Sequence, residues 1–126
     1  MLTKLVLFAV MLEAHILVDF HLQGILARMK QVDWWKNQPG YSEKYKDDWA
    51  IAMWLHAFEW TFAIMLPLSY IRGWDYTVWY HITFLVNMLI HACTDHAKAN
   101  IGTISLVGDQ TVHVLQILIT LLIWYP

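Results

Sequence analysis

Four stretches of about twenty or more mostly apolar residues run through this chain: Thr3–Ala27, Trp49–Ile71, Thr77–Ala97 and Ile104–Tyr125. About twenty such residues is the length at which an α-helix crosses the hydrocarbon core of a bilayer. Lipid offers the backbone no hydrogen-bond partners, so segments of this kind have to be helical. The expected fold is therefore all-α, a membrane-embedded four-helix bundle filling a single domain, residues 1–126. Short connections join antiparallel neighbours, and Arg72–Tyr76 and Lys98–Thr103 predict an up-down-up-down order. The stretch Arg28–Asp48, with Pro39 and Gly40, reads as a polar loop holding a short interfacial helix around Val32–Trp35.

Composition agrees. Only 14% of the residues are charged and 59% are hydrophobic, whereas a soluble domain carries about 25% charged residues. A net charge of −2 argues against nucleic acid, which is bound through a basic excess. Lys4 followed by Leu5–Leu12 resembles the opening of a signal peptide. The apolar run continues, however, and no small-x-small pattern precedes Glu13, so it reads as the first spanning helix. Trp49, Trp54, Trp74 and Trp79 suit interfacial anchors, and Trp34 and Trp35 a loop dipping into headgroups. Cys93, the single cysteine, excludes an internal disulfide and reads as a small core residue. Arg28, Lys30, Lys36, Lys44, Lys46 and Lys98 fall on the long-loop side, against Lys4 and Arg72 opposite. That bias places the loop in the cytoplasm and both termini on the non-cytoplasmic side.

Ionisable side chains inside spanning helices are costly, face the interior and mark functional sites. Here they come in sets. The first segment has His15-x-x-x-Asp19 and then Gln23, and the second has His56-x-x-Glu59. The third has Asn87, His91-x-x-x-Asp95, His96 and Lys98, and the fourth has Asp109-Gln110-x-x-His113 and Gln116. Helix positions four apart differ by about 40°, so each His/Asp pair projects from one face. At 1.5 Å per residue all four sets lie roughly 8–18 Å from the loop-side helix ends. Side chains at one depth on four helices predict one site. His21 and His96 fall off the main stripes, and Asn87, Gln23, Gln110 and Gln116 read as supporting groups.

Imidazole and carboxylate form the ligand set of Zn²⁺, Mn²⁺ and Fe²⁺. His15, Asp19, His56, His91, Asp95, Asp109 and His113 are the candidate ligands, enough for one or two divalent ions. An ion with an open position activates water for hydrolysis. Glu59 is then the candidate base, and Lys98, beside the start of the fourth helix, the candidate anion holder. Substrate would be a lipid headgroup or a small cytoplasmic molecule. Two other readings use the same residues. One is a proton or metal-ion carrier, disfavoured by the apolar runs Leu5–Leu12, Phe62–Leu68 and Leu115–Ile123 toward the far side. The other is a non-enzymatic membrane interaction protein whose polar pairs only fix helix packing. Self-association through a lipid-facing side is open, with no stripe of small residues to locate it.

The order His15-x-x-x-Asp19-Phe20-x-Leu22-Gln23, Lys30, His56, His91-x-x-x-Asp95-x-x-Lys98, Asp109-Gln110-x-x-His113 resembles a bacterial and phage membrane-protein family, domain of unknown function 3307. The resemblance covers nearly the whole chain. It implies a compact multi-helix protein of the bacterial inner membrane with a His/Asp signature. A looser similarity to membrane-bound metal-dependent hydrolases carries no catalytic assignments. His96 departs from the pattern, which has an apolar or aromatic residue there. A phage origin would imply an accessory role at the host membrane.

Overall fold

A computed structural model describes residues 2–125, and all regular structure among them is helical. α1 (Leu2–Ile16) continues as a π-helix over Leu17–Leu22. The short α2 (Leu26–Met29) and α3 (Val32–Lys36) follow, then the long α4 (Asp48–Ile71), α5 (Val78–His96) and α6 (Leu106–Trp124). A π-helical stretch, Ala97–Ile101, links α5 to α6. The long helices form a bundle in which α1 and α5 each pack on α4 and on α6.

Among the described residues, three helical stretches are long and apolar enough to cross a membrane: Thr3–Leu22, Glu43–Ile71 and Leu106–Trp124. α5 is not among them, because Asn87, His91, Asp95 and His96 lower the apolar character of its second half. The first spanning segment is also shorter than its sequence suggests. Gly24 adopts φ +51°, a left-handed conformation that ends the helix cheaply only for glycine. The chain turns there and lays α2 against α4, so residues 26–29 belong to the loop. Within that loop the expected short helix is present as α3.

The bundle has two halves. Away from the long loop, Leu7, Met11, Ile64, Met65, Leu68, Ile117 and Leu121 make a tight apolar core. Toward the loop, buried positions carry histidine, aspartate and lysine. The outer surface is apolar: Leu5, Phe62, Leu85, Leu89, Leu115 and Ile119 are each about half exposed. A coat of this kind, interrupted by the exposed Glu13 and Glu59, marks a surface meant for lipid or partners.

Candidate metal centre

The i, i+4 spacing places His15 with Asp19, His91 with Asp95 and Asp109 with His113 on single faces of α1, α5 and α6. The bundle turns those faces and His56 of α4 toward one another. His56, His91, Asp95, Asp109 and His113 have no exposed surface, and His15 and Asp19 retain 2% and 8%. The expected convergence is therefore present.

At its centre, His56 Nε2 lies 3.0 Å from Asp19 Oδ1 and 3.1 Å from His91 Nε2. His91 Nε2 is 3.9 Å from Asp19 Oδ1. Asp95 Oδ2 adds a fourth ligand atom, 3.4 Å from His56 Nε2 and 3.9 Å from His91 Nε2. Around a tetrahedral Zn²⁺ with bonds near 2.0–2.1 Å, ligand atoms stand about 3.3–3.4 Å apart. The donor types, imidazole and carboxylate, suit a borderline divalent ion, and Asp19 Oδ1, His56 Nε2 and His91 Nε2 stand close enough to share one. On the far side of Asp95, Asp95 Oδ1, Asp109 Oδ1 and His113 Nε2 are buried without a hydrogen-bond partner among the described residues, as is His56 Nδ1. Each such atom costs about 1–3 kcal/mol if nothing binds it, so the donor set is built to bind something more than itself. The overlapping groups Asp19–His56–His91, His91–Asp95–His113 and Asp19–Asp109–His113 each bring three ligand atoms within 4.8 Å of one another.

Two lysines share the network. Lys30, at the end of α2, is 4% exposed and donates to Asp95 Oδ2. Lys98 donates to Asp109 Oδ2 at 2.5 Å and lies 3.7 Å from Asp95 Oδ1. Burial opposes the charge on Lys98, but Asp109 and Asp95 outweigh it and hold the ammonium above the ordinary lysine range. With neutral imidazoles, three carboxylates against two ammonium groups leave the cluster at about −1 before any ion binds. Lys30 corrects the sequence reading, which counted it as a free loop charge. The turn at Gly24 brings it over the site, and Asn100 fixes it there by donating to Lys30 O and accepting from Val32 N. Hydropathy gives no sign of this; only the place of Lys30 in the resemblance motif does.

His15 and Gln110 support the centre rather than ligate. Gln110 Nε2 donates to Asp19 Oδ2 and Asp109 Oδ2, each at 3.0 Å. Carboxylates only accept, so the Gln110 carbonyl must face His15 Nε2, 2.9 Å away. His15 Nδ1 in turn accepts from Trp60 Nε1 at 2.7 Å. Both imidazole nitrogens are thus committed, and His15 leaves the ligand set. Trp60, fully buried, also stacks on His91 with centroids 4.3 Å apart and caps the cluster. The sequence reading passed over it, although Trp60 sits at i+4 from His56. Beyond His113 the hydrogen bonds run outward through Gln116 and Asn87 to Thr120. Leu115–Ile123 is accordingly less apolar inside than its composition implies.

Other expectations are corrected. Glu59 is exposed on the outer face of α4. The buried stripe runs through Met53, His56, Ala57, Trp60 and Ile64, and Glu59 lies about 60° past His56 on the other side. It cannot serve as base for this site. Cys93 is exposed, not core. His21 is exposed, while His96 stacks on Trp49 at 4.9 Å and contacts Asn100. Trp49 is therefore packed against α5 rather than free to anchor. Trp54, Trp74 and Trp79 do face outward. No family model matches this chain, and comparison with curated proteins and with solved structures gives no match.

Proposed function

We propose that this chain is an integral membrane protein that binds a divalent transition-metal ion (Zn²⁺, Mn²⁺ or Fe²⁺) in the half of the bilayer facing the cytoplasm. The observation that carries the reading is the approach of Asp19 Oδ1, His56 Nε2 and His91 Nε2 to 3.0–3.9 Å from three different helices. Hydrogen-bonding glue between helices is worth about 0.6 kcal/mol per contact. It gives no reason to aim two imidazole Nε2 atoms and two carboxylates at one point. An ion bound there would polarise whatever oxygen reaches it. Asp19, His56, His91 and Asp95 would hold the ion, while Gln110, Gln23 and Lys30 hold the carboxylates in place.

The same reading makes α5 a fourth span in an up-down-up-down bundle. Its polar residues Asn87, His91 and Asp95 are buried, whereas Val78, Trp79, Leu85 and Leu89 on its outer face are more than half exposed. Lipid meets only that apolar side. Arg28, Lys36, Lys44 and Lys46 still outnumber Lys4 and Arg72 once Lys30 and Lys98 are assigned to the site, which supports a cytoplasmic loop. Kinship with domain of unknown function 3307, and with it a bacterial inner membrane, is part of the same proposal; Gln23, Lys30, Lys98 and Gln110 of the motif meet the His/Asp pairs in one network. Hydrolysis loses its candidate base with Glu59 turned outward, and metal binding is the function the geometry supports best.

Elemental analysis of detergent-purified protein tests it. At least about one transition-metal ion per chain is expected, with His56→Ala and His91→Ala each binding it about 10–100-fold more weakly while staying helical. A metal-free wild type after growth and refolding with added Zn²⁺, Mn²⁺ and Fe²⁺ overturns the proposal.

A further inference from the structure

The unpartnered atoms lie beside the inner donor set rather than within it. His113 Nε2 stands 3.4 Å from Asp109 Oδ1 and 3.5 Å from Asp95 Oδ1, and none of the three has a hydrogen-bond partner among the described residues. Asp95 faces both ways, with Oδ2 toward His56 and His91 and Oδ1 toward His113. Asp95 is the penultimate residue of α5, and Asp109 is in the first turn of α6. What sets this outer group apart is the lysine that covers it. Lys98, beside it, has 25% of its side chain exposed, against 5% or less for the other paired lysine and the carboxylates.

Two arguments oppose filling both groups at once. With one divalent ion, the three carboxylates and two ammonium groups come to about +1; a second ion makes about +3 in a site shielded from water. The protons conflict as well. His91 Nδ1 and His113 Nδ1 are 3.3 Å apart. A neutral imidazole that offers its Nε2 lone pair carries its proton on Nδ1. If both rings ligated through Nε2, two N–H groups would face each other.

Building on the metal reading above, we propose that the centre takes one ion with two overlapping positions. The outer one is a port formed by Asp95, Asp109 and His113. The ion there takes the place of the Lys98 ammonium, whose flexible stem can turn toward water. The inner position is the Asp19, His56 and His91 group, and Asp95 passes the ion from Oδ1 to Oδ2. The ligand class is a borderline divalent cation, matched to one imidazole and two carboxylates outside and two of each inside.

Co²⁺, whose visible spectrum reports coordination, is the probe, added to the full-length protein in detergent. Equilibrium titration should give one Co²⁺ per chain. Asp109→Asn and His113→Gln should retain that one ion but load it about tenfold more slowly in stopped flow, having lost the charge or ligand at the port. His56→Ala should still bind one ion, about 10–100-fold more weakly, through the outer ligands. Two ions per wild-type chain would overturn the proposal. So would wild-type loading rates in both port variants, or loss of the ion from both at equilibrium with helicity retained. No Co²⁺ bound by the wild type would instead remove the metal reading on which the port rests.

Discussion

Replacing Lys30 by methionine isolates what the buried loop lysine contributes. The methionine keeps most of the stem's bulk and removes the charge. In the wild type Lys30 donates to Asp95, whose side chain has no exposed surface. Without it, Asp95 keeps only the distant Lys98, 3.7 Å from Oδ1, and the imidazoles of His56, His91 and His113 at 3.4–3.9 Å. Breaking a buried ion pair by removing one partner costs about 3–5 kcal/mol, because the remaining charge has lost its solvent and its counter-ion. Denaturant unfolding of the metal-free protein, followed by circular dichroism, should show a loss of that size. The double variant Lys30→Met/Asp95→Asn should recover most of it, since no uncompensated carboxylate is left. Added Zn²⁺ at a hundredfold excess over Kd should stabilise the wild type by about 2.7 kcal/mol, and at that same concentration Lys30→Met by more, since no ammonium then opposes the ion. A loss below about 1 kcal/mol, or a double variant less stable than the single one, would refute the pairing.

Trp60→Phe keeps an aromatic roof but removes the donor to His15; it should cost about 1–3 kcal/mol and shift the Co²⁺ spectrum only slightly, as difference absorbance would record. Glu13 and Glu59 both face outward near mid-span, so Glu13→Leu and Glu59→Leu should each favour membrane insertion by about 3–4 kcal/mol in a translocon assay without altering bound metal. Gly24→Ala should cost about 1–2 kcal/mol from its φ of +51° and not from crowding, the nearest atom to an added Cβ being 3.9 Å away, a loss that unfolding in detergent measures. Proteoliposomes should show no metal or proton flux, because beyond Gln116 and Asn87 the contacts pass only to groups that neither ionise nor ligate, Thr120, Thr83 and Trp124, the last packed in the apolar core with Leu68 and Leu121.

Periodicity made the His/Asp pairs legible, because a spacing of four fixes a shared face whatever the fold. The apolar character of the remaining faces supplied the direction in which the polar ones had to turn. The same rule fails for Glu59. Three residues from His56 rotates a side chain about 60° the other way, enough to leave the buried stripe on α4. His15 illustrates a second limit. Its face and depth are right, yet Trp60 and Gln110 claim both nitrogens, and those partners lie 45 and 95 residues away. Lys30 illustrates a third. A lysine in a polar loop reads as solvated until Gly24 turns the chain and α2 docks on α4. The ends of the helices were legible where the apolar pattern stopped sharply, as at Ile71, and not where a glycine cut it short, as at Gly24.

The central claim is that imidazoles and carboxylates from separate helices share one metal ion. X-ray absorption at the zinc edge, on protein loaded with one equivalent of Zn²⁺ in lipid nanodiscs, tests it most directly. The account predicts four light ligands at about 2.0–2.1 Å, with multiple scattering from two imidazoles that falls to one in His91→Ala. A spectrum of hexahydrated zinc, or one unchanged by His91→Ala, would contradict it.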